Sequence, residues 1–163
     1  MEYLDFLFLD GWDWDRVQKT TTLRPGRTYK HSDLRFEYRS FPLFISARFS
    51  GALSAKYAKL HLSFDEKVLS ESPYNVSTKI GQISGTNYFE VPIYDETNNI
   101  FLITYIPKKP LFAKKELEIY VSYPEVVGGT VLTDTINVAI TGLIIKITDE
   151  EAFLRSLKKF EER

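Results

Sequence analysis

The stretch Glu116-Leu117-Glu118-Ile119-Tyr120-Val121-Ser122-Tyr123 decides how this chain is read. Apolar side chains stand at 117, 119, 121 and 123, and more polar ones stand between them. Successive side chains of an extended chain point to opposite faces, so this spacing places Leu117, Ile119, Val121 and Tyr123 on one face. Pro124 ends the segment, and Gly128-Gly129 turns the chain.

The same period recurs in both directions. Residues 34–39 alternate Leu34, Phe36 and Tyr38 with Arg35, Glu37 and Arg39. Residues 56–64 set Ala58, Leu60, Leu62 and Phe64 against Tyr57, Lys59, His61 and Ser63, and Asp65-Glu66-Lys67 reads as a turn. Further strands are predicted at residues 3–9, 16–23, 43–50, 74–80, 88–94 and 100–106, with a loop at 81–86. Residues 130–147 read as two strands, or one long bent strand with a bulge at Gly142. Pro25-Gly26 has the fixed φ and the tolerated positive φ of a type II turn. Residues 95–99 suit a hairpin loop. Pro92 cannot donate to a ladder, which makes its strand an edge or a bulged one.

At Thr148 the period changes. Thr148-Asp149-Glu150-Glu151 has the form of a capping box, with Thr148 as the cap. Phe153, Leu154, Leu157 and Phe160 then share one helical face. Acids fill the first turn and Lys158 and Lys159 sit near the end, which suits the helix dipole. The fold class that follows is all-β: an antiparallel β-sandwich, jelly-roll or immunoglobulin-like, over residues 1–147. One C-terminal amphipathic helix, residues 148–163, is appended to the same domain. The βαβ alternation of a doubly wound parallel sheet is missing.

Composition narrows the function classes. The 163 residues include no cysteine and one methionine, and 15% are aromatic. Disulfides, thiolate metal sites and thiol nucleophiles are thereby excluded. The scarcity of cysteine, methionine and glutamine (Gln18 and Gln82) fits a thermostable protein from a hot environment. A formal net charge of −1 argues against phosphate binding as the main task, so no nucleic-acid partner is expected. The start of the chain lacks a basic n-region, and no apolar run is long enough to span a bilayer. The expected location is cytoplasmic or virion-associated.

Few residues stand out as chemical candidates. Asp10-Gly11-Trp12-Asp13-Trp14-Asp15 concentrates three carboxylates and both tryptophans. Its spacing does not fit an EF-hand loop, so no metal is expected. Trp12 and Trp14 point to one face, where one or both rings are expected to cap the end of the core with the indole N–H finding a partner, and with Asp13 and Asp15 beside them they would alternatively suit stacking on a sugar ring. Lys108, Lys109, Lys114 and Lys115 surround Phe112 in a basic loop with an aromatic tip, read as an edge guarded against aggregation rather than as a base-stacking site. His61 reads as a solvated histidine on a polar strand face, with no nucleophile partner. No phosphate-binding glycine motif is present, and the Asn75-Val76-Ser77 sequon lacks a secretory signal to accompany it. Neither a catalytic residue nor a cofactor is expected.

The expected function is a non-catalytic structural or interaction module, a subunit of a larger assembly such as a virion or tail component, with protein partners that include copies of itself. The helix is expected to pack on its own sandwich, and Phe153, Leu157 and Phe160 are contact candidates if it docks on a neighbour instead. Two alternatives are a carbohydrate-binding module using Trp12 and Trp14, and a hydrolase with a carboxylate pair on a sandwich face.

Overall fold

The structure is a computed structural model that describes residues 7–65, 76–79, 93–107 and 112–161. Among the described residues twelve strands run in the order β1 (Trp12–Leu23), β2 (Thr28–Tyr29), β3 (Arg35–Phe36), β4 (Ser40–Ser50), β5 (Lys59–Phe64), β6 (Val76–Lys79), β7 (Ile93–Asp95), β8 (Ile100–Tyr105), β9 (Leu117–Ser122), β10 (Val126–Val127), β11 (Thr130–Val131) and β12 (Ile136–Ile147). Helix α1 (Glu150–Glu161) follows.

Two antiparallel sheets carry the fold. One has the order β1-β12-β4-β8-β7, and the other the order β2-β9-β5-β6, with β3 in line with β2 on the same edge of β9. The β10–β11 hairpin stands apart. Among its eight principal strands the chain changes sheet at every connection except β5–β6, and its first and last strands pair over twelve residues, from Trp12↔Ile147 to Leu23↔Ile136. Eight strands wound in this way, with β2 and β3 counted as one and β7 as an added edge, form a jelly roll. An immunoglobulin sandwich instead keeps about half of its consecutive strand pairs within one sheet.

The alternation seen in the sequence faces the two sheets inward. Val17, Ile45, Ala47, Phe49, Phe101, Ile103, Val138 and Ile140 of the first sheet meet Leu60, Leu62, Phe64, Leu117, Ile119 and Val121 of the second in one buried core. The Pro25-Gly26 turn forms as expected. Gly26 has φ +79°, and the Arg27 amide donates to the Arg24 carbonyl at 3.2 Å. Strand β7 is an edge strand. Pro92 lies outside the described residues, as do most of the predicted strands at 3–9 and 88–94, the loop at 81–86 and Asn75 of the sequon.

Several local expectations change. Residues 34–39 are not one strand: Leu34 closes a 3-10 turn (Ser32–Leu34), and only Arg35–Phe36 pairs. A second 3-10 turn (Leu53–Tyr57) replaces the start of the strand predicted from Lys56. The bulge falls after Gly142, where the register shifts between Leu143 and Ile144 and leaves Leu43 of β4 without an opposite residue. Gly142 answers a different need. A Cβ there would lie 2.4 Å from the Phe44 carbonyl oxygen and 2.8 Å from Ile45 Cδ1.

Asp65 adopts φ +60°, and its carboxylate accepts the amides of Lys114 at 3.1 Å, Lys115 at 2.7 Å and Glu116 at 3.2 Å. Burial opposes ionisation of this carboxyl. The amides, led by that of Lys115, outweigh it and hold the group below its usual range. One side chain thereby fixes the entry of the chain into β9.

Candidate functional site

The predicted contact residues fall in two places, and a third place gathers polar side chains that were not among them. The first is the outer face of the β1–β12–β4 sheet at the end covered by α1. There Leu9, Phe41, Ile145, Ile147 and Phe153 form a second apolar cluster, with Trp12, Leu43, Phe112, Leu157 and Phe160 packed against it. The helix docks on its own sandwich, and Phe153 is 1% exposed. The docking of Phe153, Leu157 and Phe160 on a neighbour is thereby replaced by packing within the chain. The apolar stripe includes Phe153, Leu157 and Phe160, whereas Leu154 is 46% exposed and lies off it.

The helix start also differs from the expected box. Asp149 is the cap, its Oδ1 accepting the Ala152 amide at 3.0 Å. The Thr148 amide donates instead to the Gly11 carbonyl at 2.8 Å, and the Asp149 amide to the same oxygen at 3.0 Å. The Asp10 amide donates to Ser156 Oγ at 2.9 Å. These bonds join the segment before β1 to both ends of the first helical turns.

Trp12 and Trp14 do share one face, as the i, i+2 spacing requires. Their rings meet edge to face, with centroids 5.2 Å apart at 83°, so they form no flat platform for a sugar. Trp12 is half-buried and its indole N–H donates to the Leu9 carbonyl at 2.6 Å. Trp14 is 46% exposed. Asp13 and Asp15 point to the opposite side of β1 from the indoles, which corrects the expected grouping. Asp15 accepts a hydrogen bond from the Tyr38 hydroxyl, and Asp13 Oδ1 accepts the Trp14 amide at 2.7 Å. Burial first, and the Asp15 bond second, push the Tyr38 phenol well above its usual pKa. Among the described residues no three acidic or histidine side chains come together as a metal site.

The second place is the loop before β9. Lys108 and Lys109 lie outside the described residues. Lys114 and Lys115 are exposed. Phe112 is not an exposed tip: its ring packs edge to face on Phe41 at 4.8 Å and on Phe153 at 6.2 Å. The aromatic that stands among lysines in sequence belongs in space to the cluster under α1.

The third place was not legible as a group. On the outer face of the second sheet, the register sets His61 opposite Tyr120. The rings stack at 4.7 Å and 4°, and His61 Nε2 shares a hydrogen bond with Ser122 Oγ at 2.7 Å. His61 is therefore not solvated, and it does have a hydroxyl partner. Burial, with Lys59 and Lys30 nearby, lowers its pKa to about 4, so the ring is neutral at pH 7. Among the described residues buried Nδ1 has no hydrogen-bond partner, and none of them supplies the orienting carboxylate that completes a serine–histidine nucleophile. The one carboxylate buried among the described residues, Glu116, is held by Arg35 at 2.8 Å and serves as a structural ion pair.

The His61 environment has a pH signature. The unfolded chain takes up a proton near pH 6.5 and the folded one near pH 4. Stability from this site is fully present above pH 6.5 and lost as the pH falls toward 4. With partial solvent access its size is about 2 kcal/mol. Urea unfolding at pH 7.0 and pH 4.5 should show this loss, and His61→Phe, which keeps the stack on Tyr120, should remove that part of the slope. An identical slope in His61→Phe would assign the acid sensitivity elsewhere.

No helix among the described residues is long and apolar enough to cross a membrane. No protein-family model and no curated protein matches the chain.

Proposed function

We propose that this chain is a non-catalytic jelly-roll subunit that assembles with other protein chains, first of all with copies of itself. The observation that carries this reading is the rim of the cluster beneath α1. Leu7 is 55% exposed, Phe8 67% and Trp14 46%. Phe8 stacks on Phe160 at 6.1 Å, and Trp14 abuts Trp12, so these side chains border one apolar cluster instead of being scattered. Apolar surface gathered in one place marks a contact region, whereas single exposed apolar residues do not. Aromatic side chains are the commonest anchors of such contacts. A virion or tail component is the concrete form favoured here, on the analogy that jelly rolls recur in capsid proteins.

Sedimentation equilibrium tests the proposal. The wild-type chain should self-associate with a Kd below about 100 μM, a binding free energy of about −5.5 kcal/mol. Phe8→Ser combined with Trp14→Ser should weaken it by at least about tenfold, because both side chains leave the contact. The melting temperature should fall by no more than about 5 °C, since Phe8 is two-thirds exposed and Trp14 about half exposed. A wild-type chain that remains monomeric at millimolar concentration, or a double variant that associates as the wild type does, would overturn the reading.

A further inference from the structure

The outer face of the β1–β12–β4–β8 sheet changes character along its length. Past Leu143 and Phe44 the register lays down three rows of mostly small, polar side chains. Gln18, Thr141, Ser46 and Thr104 form the first, Thr20, Ala139, Arg48 and Leu102 the second, and Thr22, Asn137, Ser50 and Ile100 the third, so the two apolar members besides Ala139 stand on β8. In the second row Ala139 puts only a methyl group between Thr20 and Arg48. A shallow cleft of about 550 Å³ opens over it, bounded by Thr20, Thr22, Arg48, Ser50 and Asn137. Gly51 helps to shape one end. It has φ +102°, and a Cβ on it would come within 3.0 Å of Asn137 Nδ2.

Charge on the four strands around the cleft is one-sided, whereas the fifth strand, β7, places Asp95 at the far end of the third row, where Asn98 donates to its carboxylate at 2.9 Å. The chain has 21 basic and 22 acidic residues. Yet the outward-facing positions of β1, β12, β4 and β8 carry Arg16 and Arg48 and no acid. Arg48 is exposed, and among the described residues no carboxylate pairs with it. A guanidinium binds a carboxylate or sulfate through two parallel N–H···O bonds. The hydroxyls and the amide around it both donate and accept, as the hydroxyls of a sugar do. The side chains lining the cleft are polar apart from Ala139, which offers only a methyl group, and Val138, whose side chain is buried in the core.

The geometry points to this cleft as a binding site for an acidic saccharide, with Arg48 on its carboxylate or sulfate and Thr20, Thr22, Ser50 and Asn137 on its hydroxyls. This site is separate from the tryptophans and from the rim at Phe8, so it stands or falls independently of self-association.

The test uses the full chain on an array of uronate-, sialate- and sulfate-bearing glycans printed beside their neutral counterparts. Calorimetric titration of the strongest hit follows, with inorganic sulfate and acetate as separate arms. An acidic glycan should bind more tightly than its neutral counterpart. Arg48→Gln should weaken it by at least about tenfold, through loss of the paired charge-assisted bonds. Ala139→Gln, which fills the floor of the cleft, should abolish binding. Arg16→Gln, two rows and two strands away, should leave it within about twofold. The three positions lie on a solvent-facing surface, and unchanged melting temperatures would show that the variants fold. Binding that survives in both Arg48→Gln and Ala139→Gln, an array on which no acidic glycan exceeds its neutral counterpart, or inorganic sulfate or acetate binding as tightly as the glycan would each overturn the proposal.

Discussion

Phe153→Ala is expected to destabilise the protein by about 3–5 kcal/mol, the range for removing a buried phenylalanine ring. The side chain is 1% exposed and fills the space between Phe41, Ile145, Ile147 and Leu9. Phe112 packs against its edge at 6.2 Å. For a domain of this size the cost corresponds to a fall in melting temperature of about 10 °C. The loss should be local before it is global. Amide exchange in α1 and at Asp10, whose amide donates to Ser156 Oγ, should accelerate more than exchange in β5 and β9. Calorimetry and hydrogen exchange together check this. A melting temperature within about 2 °C of the wild type would mean that α1 contributes little to the fold.

Gly142→Val is expected to cost about 3–4 kcal/mol for a different reason. A Cβ at 142 would sit 2.4 Å from the carbonyl oxygen of Phe44, a backbone atom held by the β4–β12 ladder. It would also lie 2.8 Å from Ile45 Cδ1 in the main core. The isoleucine can rotate, but the carbonyl can move only if two strands separate. Gly142→Ala should therefore already lose most of the stability that Gly142→Val loses, because the first carbon makes the clash. Urea midpoints of the two variants check the order. A wild-type midpoint for Gly142→Ala would show that the strands part at little cost.

What the sequence disclosed and what it hid follow one rule. Leu117, Ile119, Val121 and Tyr123, or Leu60, Leu62 and Phe64, are buried because alternation is a local property of an extended chain. The Pro25-Gly26 turn and the approximate span of α1 were legible for the same reason. The cap at Asp149 was missed because Thr148 and Asp149 are both good caps, and Gly11, remote in sequence, engages the amides of both. Phe112 was misplaced because its neighbours in sequence are lysines while its neighbours in space are Phe41 and Phe153. The His61–Ser122 bond and the cleft around Arg48 depend on which strands pair and in what register. No single strand records that information. The choice between jelly roll and immunoglobulin sandwich was hidden in the same way, since strand order is entirely a matter of long-range pairing.

The pairing of β1 with β12 also sets a timetable. Partners in this ladder lie more than about a hundred residues apart, so β1 leaves the ribosome long before the strand that flanks it exists. At roughly 5–20 residues per second the wait is roughly 5–30 seconds. During that interval Trp12–Leu23, with its three consecutive threonines, is an open template for strand pairing with other chains. Folding of such a topology is slow even once the chain is complete. Production of this protein is therefore expected to depend on how well nascent chains are kept apart, with lower temperature and slower synthesis favouring soluble material.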